Sequence, residues 1–159
     1  MTTIVPTLQN DLEQKEKTEC LTEIKGDLFK SPATSSLAHC ISVDINMGKG
    51  IAPLFKSKFG GVEQLKAQKQ QVGGCAILKE GSRFIYYLTT KEKYWNKPTY
   101  ESLQSSLEVM KKHAVENKVE IISMPILGCG LDKLVWSKVK QILISLFSDT
   151  AIRLVIYRL

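Results

Sequence analysis

Histidine is scarce in this chain. Only His39 and His113 occur, too few for a multi-histidine metal site. The four cysteines, Cys20, Cys40, Cys75 and Cys129, contain no C-x-x-C pair, so a zinc ribbon and a dithiol redox motif are both excluded. Cys40 and Cys75 lie within apolar runs, as small buried hydrophobes do in a reducing compartment. No apolar run approaches the roughly 20 residues of a membrane-spanning helix. The N-terminal stretch carries Asp11, Glu13, Lys15, Glu16 and Lys17 where a secretory signal needs an apolar core. A soluble, intracellular protein with no membrane partner is expected. The dinucleotide fingerprint G-x-G-x-x-G is missing, and so is the phosphate-loop pattern G-x-x-x-x-G-K-[ST], which argues against an ATP-hydrolysing P-loop. Repeats and low-complexity segments are absent. The sequence shows no aromatic stacking platform and no dense basic stripe, which counts against a nucleic-acid-binding module.

What is present is ordinary for a folded domain. Hydrophobic residues make up 43% and charged residues 24% of 159, enough to bury one core. The formal charge is +6, which weakly favours anionic or phosphorylated ligands. The basic residues are scattered, so most read as a solvated surface.

Residues 1–18 are polar and without periodicity, and read as a flexible N-terminal tail ahead of a domain over 19–159. Leu21 to Lys25 reads as a short strand ended by Gly26-Asp27. Ser36 to Ser42 reads as a second, buried strand. Ile51, Leu54 and Phe55 then recur at helical spacing, and Gly60-Gly61 ends that helix. A short helix over 62–70 follows. Cys75 to Leu78 and Phe84 to Thr89 read as a hairpin joined by Lys79-Glu80-Gly81-Ser82. Lys91 to Pro98 is a polar loop, and Thr99 is the expected N-cap of a long helix. Leu103, Leu107, Met110 and Ala114 mark the buried face of that helix. The apolar run Val119 to Met124 reads as a buried strand, and Ala151 to Tyr157 as the last one. Between them Val135, Val139, Ile142 and Leu146 form another helical face. Strands mixed with helices predict an α/β fold, a three-layer α/β/α sandwich around a central mixed sheet.

Three loops follow strand ends: Gly26-Asp27-Leu28, Met47-Gly48-Lys49-Gly50-Ile51-Ala52, and Gly128-Cys129-Gly130-Leu131-Asp132. Ligands of open α/β sheets bind at such ends. Glycines there let backbone N–H groups approach an anion, and a following helix start adds favourable dipole. Two such turns can cradle a diphosphate from both sides. The plainer alternative is glycine for turn geometry with Asp132 as a helix cap. Asp27 has the same two readings, an acceptor for an adenine amino group or a solvated turn residue. His39 reads as a satisfied core histidine.

These residues together resemble the macrodomain family, whose members bind ADP-ribose. The resemblance is carried by Lys25-Gly26-Asp27-Leu28-Phe29, by Ser36-Leu37-Ala38-His39-Cys40-Ile41-Ser42 and by Met47-Gly48-x-Gly50-Ile51-Ala52. It continues in Lys56-x-Lys58-Phe59-Gly60-Gly61-Val62, Lys97-Pro98-Thr99-Tyr100-Glu101 and Gly128-Cys129-Gly130-Leu131-Asp132. It covers nearly everything from Lys25 to Leu159.

Within the family the chain looks like its ADP-ribose glycohydrolases, and that likeness implies a chemistry. Lys91 maps onto a catalytic lysine and Asp132 onto a catalytic aspartate. Such enzymes remove ADP-ribose from glutamate and aspartate side chains and also deacylate O-acyl-ADP-ribose. Substrate binding is implied for Asp27, Leu28, Met47, Gly48, Gly50, Ile51, Ile126, Leu127, Gly128, Cys129, Gly130, Leu131 and Leu159. Partners are ADP-ribose, ADP-ribosylated proteins and poly(ADP-ribose). No metal or cofactor is implied. A monomer in the nucleus (nucleoplasm and nucleolus) and also in the cytoplasm is expected, with a part in the DNA damage response. A non-catalytic ADP-ribose reader is the competing expectation. Family members carry a basic residue two positions before the first glycine of the last loop, where this chain has Ile126. That substitution affects a side-chain contact near the phosphates and leaves the backbone cradle alone.

Overall fold

The computed structural model describes residues 20–128 and 133–159. Among these, six strands are interspersed with four helices. In chain order they are β1 (Leu21–Lys25), β2 (Ser36–Ser42), α1 (Ala52–Phe59), α2 (Val62–Ala67), β3 (Gly74–Glu80), β4 (Arg83–Lys91), α3 (Tyr100–Glu116), β5 (Ile121–Met124), α4 (Trp136–Phe147) and β6 (Arg153–Arg158), with a short 3₁₀ turn over Leu28–Lys30.

The strands form one sheet in the order β1-β6-β5-β2-β4-β3. Every neighbouring pair is parallel except β3 with β4. The sheet is mixed because only β3 and β4 are joined by a tight turn. Parallel neighbours need crossovers, and the helices supply them. Side chains alternate across the sheet, giving two cores. Ile85 and Tyr87 of β4 face α1 and α2 together with Leu37 and Phe55. Tyr86 and Leu88 face α3 and α4 together with Leu107, Met110 and Leu143. This is the expected three-layer α/β/α sandwich.

Local chemistry accounts for the element ends. Thr99 caps α3, its hydroxyl accepting from Ser102 N–H at 3.0 Å, while the Ser102 hydroxyl accepts from Thr99 N–H at 3.0 Å. The hairpin turn is tighter than expected, because Gly81 at φ +61° lets Gly81-Ser82 alone reverse the chain. The helix expected over 62–70 stops at Ala67. The Gln68 side chain there both donates to Ile77 O and accepts from Ile77 N–H, at 2.8 Å each, which stitches the segment to β3. The strand expected from Val119 begins at Ile121, since Val119 N–H closes α3 onto Ala114 O at 2.9 Å.

The helix after the last glycine loop begins at Trp136, and its N-cap is Val135 with no side-chain hydrogen bond. Asp132, offered as an alternative helix cap, lies outside the described residues. Val135 N–H donates to the Tyr100 hydroxyl at 2.9 Å, which ties α4 to the first turn of α3.

Candidate active site

Because five strands run parallel, their carboxyl ends lie along one edge of the sheet. A cleft of about 520 Å³ opens there, over the ends of β2, β4 and β5. One wall is Asn46, Met47, Gly48, Lys49, Gly50, Ile51 and Ala52. Pro125, Ile126, Leu127 and Gly128 form the opposite wall. Lys91, Tyr94, Trp95, Asn96 and Lys97 make the rim between them, and His39 to Ser42 supply the floor. Among the described residues its charged lining is all lysine: Lys49, Lys91 and Lys97. An anionic ligand suits such a lining.

The structure thus brings together most of the residues singled out from sequence: Met47, Gly48, Gly50, Ile51, Ile126, Leu127, Gly128 and Lys91. Cys129, Gly130, Leu131 and Asp132 lie outside the described residues. Asp27, Leu28 and Leu159 follow β1 and β6 at the same sheet edge but are not in the wall of this cleft. The Asp27 carboxylate accepts from Phe29 N–H at 2.9 Å and caps the 3₁₀ turn. Leu28 is buried and Leu159 is exposed.

Backbone conformation in the glycine wall is unusual. Ile45 and Met47 adopt φ of +53° and +48°, the left-handed region that costs an L-residue roughly 1–2 kcal/mol. Both side chains are buried in the core beneath α1, and that packing holds the loop in shape. Left-handed residues next to a cleft mark backbone shaped for something other than stability. Opposite, Gly128 takes φ +68°, and its carbonyl accepts from Leu134 N–H at 2.7 Å. The two ends of the last glycine loop are closed onto each other by that bond.

Lys91 is the last residue of β4, not the first of the loop, and is half-buried. It pairs in register with Ser42 just past a register shift that leaves Thr90 of β4 without a partner residue in β2. Val43 N–H donates to Lys91 O at 2.8 Å, and Ser102 Oγ–H to Thr90 O at 2.7 Å. The backbone around Lys91 is therefore fixed on both sides, by β2 and by α3.

Two features escaped the sequence reading. His39 is core, as expected, but it is not satisfied. It is fully buried, stacks on Phe55 at 3.7 Å, and neither ring nitrogen has a hydrogen-bond partner. Burial alone pulls its pKa down to about 3, so the ring is neutral. Asp44 was also overlooked, although an aspartate two residues past a strand end is a turn former that bonds the amides after it. Burial opposes its ionisation. The Ser42 hydroxyl, the Tyr94 and Asn46 amides and the Lys93 charge outweigh that and hold its carboxyl below the ordinary value.

The rim carries an aromatic pair that composition did not reveal. Tyr94 and Trp95 meet edge to face at 5.0 Å. Trp95 remains 66% exposed at the mouth of the cleft.

Residues 32–143 match the Macro domain family. The chain is 49% identical over 152 residues to the ADP-ribose glycohydrolase OARD1 of Homo sapiens, spanning 96% of this chain and 100% of that protein. It is 52% identical over 139 residues to ADP-ribose glycohydrolase OARD1 of Bos taurus, covering 87% of this chain and 91% of the relative. Among solved structures, the macrodomain of Mycobacterium tuberculosis DarG superposes with a TM-score of 0.78 at 26% identity, over 87% of this chain and 97% of that one.

Proposed function

This chain belongs to the macro domain family, and from that premise we propose that its cleft binds ADP-ribose and that Lys91 does the chemistry. The protein is a hydrolase, an ADP-ribose glycohydrolase. The observation that carries the reading of the site is the position of Lys91: a half-buried lysine on the rim between two glycine walls, on a backbone held by β2 and α3.

The diphosphate would lie between the Met47–Ile51 wall and the loop entered at Gly128, against backbone N–H groups. That places the distal ribose towards Lys91. A neutral lysine amine attacks C1″ and forms the C–N bond. The bond from C1″ to the substrate's carboxylate oxygen breaks, and the glutamate or aspartate side chain leaves as carboxylate. The nitrogen loses a proton, the ribose ring opens to an imine, and water adds to that imine to release ADP-ribose and restore the amine. Asp132 is the proton carrier in this scheme, assigned from its place at the end of Gly128-Cys129-Gly130-Leu131-Asp132. The same attack on an ADP-ribose acylated at O1″ would break the C1″–O bond and release the acyl group as its carboxylate, which is the deacylation. Poly(ADP-ribose) binding, a monomeric state and a nuclear and cytoplasmic location accompany this reading, supported by the family likeness alone.

The test is incubation with a glutamate-ADP-ribosylated protein, with released ADP-ribose as the readout. Lys91→Ala and Asp132→Ala are expected to lose about 10²–10⁴-fold in rate, with ADP-ribose affinity kept within about tenfold. Borohydride added during turnover should trap ADP-ribose on the peptide containing Lys91 in the wild type. Full activity of Lys91→Ala would remove the covalent route. Tight binding with no release by the wild type would make the protein a reader.

A further inference from the structure

We propose that Asp44 is a positioning residue for the reaction: its carboxylate locks the rim loop that follows Lys91 onto the glycine wall, and so fixes where the Lys91 amine points. The inference rests on Lys91 being the nucleophile.

Asp44 sits in the tight turn after β2, where Ile45 N–H returns to Ser42 O at 3.0 Å. Its side chain collects donors from three places. The Ser42 hydroxyl at the end of β2 donates to Oδ1 in a short bond. Asn46 N–H, at the entrance to the glycine wall, donates to the same oxygen at 3.3 Å. Tyr94 N–H, across the cleft rim and 50 residues along the chain, donates to Oδ2 at 3.2 Å.

The backbone repeats this connection. Val43 N–H donates to Lys91 O at 2.8 Å and Asp44 N–H to Glu92 O at 3.3 Å. The turn after β2 thus continues the pairing of β2 with β4 for two residues past the sheet and ends in the carboxylate clamp. Beyond the clamp the rim loop closes on itself. Lys93 N–H donates to Asn96 Oδ1 at 2.8 Å and Asn96 N–H to Lys93 O at 2.9 Å. Among the described residues, the side chain that ties residues 92–96 to the turn after β2 is Asp44, through the Tyr94 amide and the Lys93 charge. Without it the loop keeps its own shape but is joined to this turn by backbone only as far as Glu92, so Lys93 to Asn96 can shift against the Lys91 side chain.

A carboxylate suits this task because it accepts only, with two oxygens for three donors. An asparagine offers one acceptor oxygen and turns an N–H towards one of the donors. The glycine wall has its own support, since Ile45 and Met47 are buried in the core. Loss of the clamp should therefore disturb Lys91 more than the ligand cradle. Misplacing a reacting group by about 1 Å can cost on the order of 10²-fold in rate.

The experiment compares wild type, Asp44→Asn and Asp44→Ala, each also in a Lys91→Ala background. It measures release of ADP-ribose from a glutamate-ADP-ribosylated protein, ADP-ribose affinity, and amide hydrogen exchange. The expected result is a loss of turnover of about tenfold for Asp44→Asn, and more for Asp44→Ala, with affinity within about threefold of wild type. Exchange should quicken at Tyr94 and Val43 and stay unchanged in β4 before Thr89. In the Lys91→Ala background the Asp44 changes should have no further effect on turnover. If turnover in Asp44→Asn is unchanged, the inference is overturned. It is equally overturned if affinity falls as far as turnover, which would make Asp44 a general scaffold residue. Persistence of the Asp44 effect in the Lys91→Ala background would show that it acts elsewhere. Failure of the nucleophile assignment is read separately, as full activity of Lys91→Ala with wild-type Asp44. Should Asp44→Ala not fold, the near-isosteric Asp44→Asn decides the matter alone.

Discussion

His39 shows what a single residue can cost. A buried polar atom without a partner forfeits its hydration, about 1–3 kcal/mol, and His39 has two such nitrogens. Its flat ring is nonetheless a good fit, since it stacks on Phe55 with 13° between planes and meets Tyr87 edge to face. The pH dependence follows from linkage. In the unfolded chain a histidine takes up its proton near pH 6.5, whereas in the folded protein burial delays this to about 3. Between those values the unfolded state holds one more proton, so stability falls as pH falls, by about 1.4 kcal/mol per pH unit. Above pH 6.5 His39 contributes no slope. Urea denaturation at pH 7 and pH 5 should therefore differ by about 2 kcal/mol more in wild type than in His39→Phe, which keeps the stacking ring and cannot titrate. The same pH difference in both proteins would remove His39 from the account. Sequence pattern placed His39 in the core correctly, because it lies in the apolar run of β2. It was silent on satisfaction, which depends on the rings of Phe55 and Tyr87 arriving from other elements and meeting His39 through their faces and edges rather than through a hydrogen bond.

At the scale of elements, β1 is an edge strand of five residues and needs anchoring beyond its pairing with β6. Glu23 provides it. Its carboxylate accepts from Trp136 Nε1 at 2.7 Å and Lys140 Nζ at 3.0 Å on α4, and from Arg158 Nε at 3.0 Å on β6. These donors, Lys140 foremost, hold its carboxyl below the ordinary value against the opposing effect of burial. A lowered folded value means that the stabilisation is complete above about pH 4.5, the unfolded value, and is lost as pH falls through the folded one. Glu23→Ala should destabilise the protein by about 1–3 kcal/mol at pH 7, measured by urea denaturation, and the difference should shrink towards pH 3. A constant difference at both pH values would mean that lost packing, not charge, is responsible. None of this was legible in the sequence, since Glu23 lies 113 residues from Trp136. The elements were legible where the cause is local. Thr99 announced its helix through an N-cap, and the β2 strand through its apolar run. They were misjudged where a distant partner decides, as when Ile77 ends α2 at Gln68 or Tyr100 receives the start of α4. The candidate site followed the same division. The glycine turns were readable as local motifs and Lys91 only through the family resemblance, while Asp44 and the Tyr94–Trp95 rim acquire meaning only when β2 and β4 lie side by side.

The whole molecule adds an electrostatic field to these contacts. The chain carries a formal charge of +6, and the charged side chains lining the cleft among the described residues are the three lysines Lys49, Lys91 and Lys97. ADP-ribose brings two negative charges on its diphosphate. A field of this sign draws the ligand in over distances comparable to the Debye length, which is about 10 Å at 0.1 M salt and about 3 Å at 1 M. Steering acts on encounter, so it belongs to the association rate. Once the ligand is seated, a cradle of backbone N–H groups at short range is screened far less. The protein supplies its own probe for separating the two. Of its two tryptophans, Trp95 stands exposed on the cleft rim, while Trp136 is held against Glu23 on α4. In a Trp136→Phe variant the fluorescence reports Trp95 alone, and ADP-ribose entering the cleft should change it. Stopped-flow mixing should then show kon falling by roughly tenfold between 0.1 and 1 M NaCl, with koff constant within about twofold. A koff that rises as steeply as kon falls would mean that lysine side chains, rather than backbone amides, hold the diphosphate. A kon indifferent to salt would mean that the net charge of the chain has no part in capture. Silence of Trp95 at saturating ADP-ribose would place the ligand away from the rim, and with it away from Lys91.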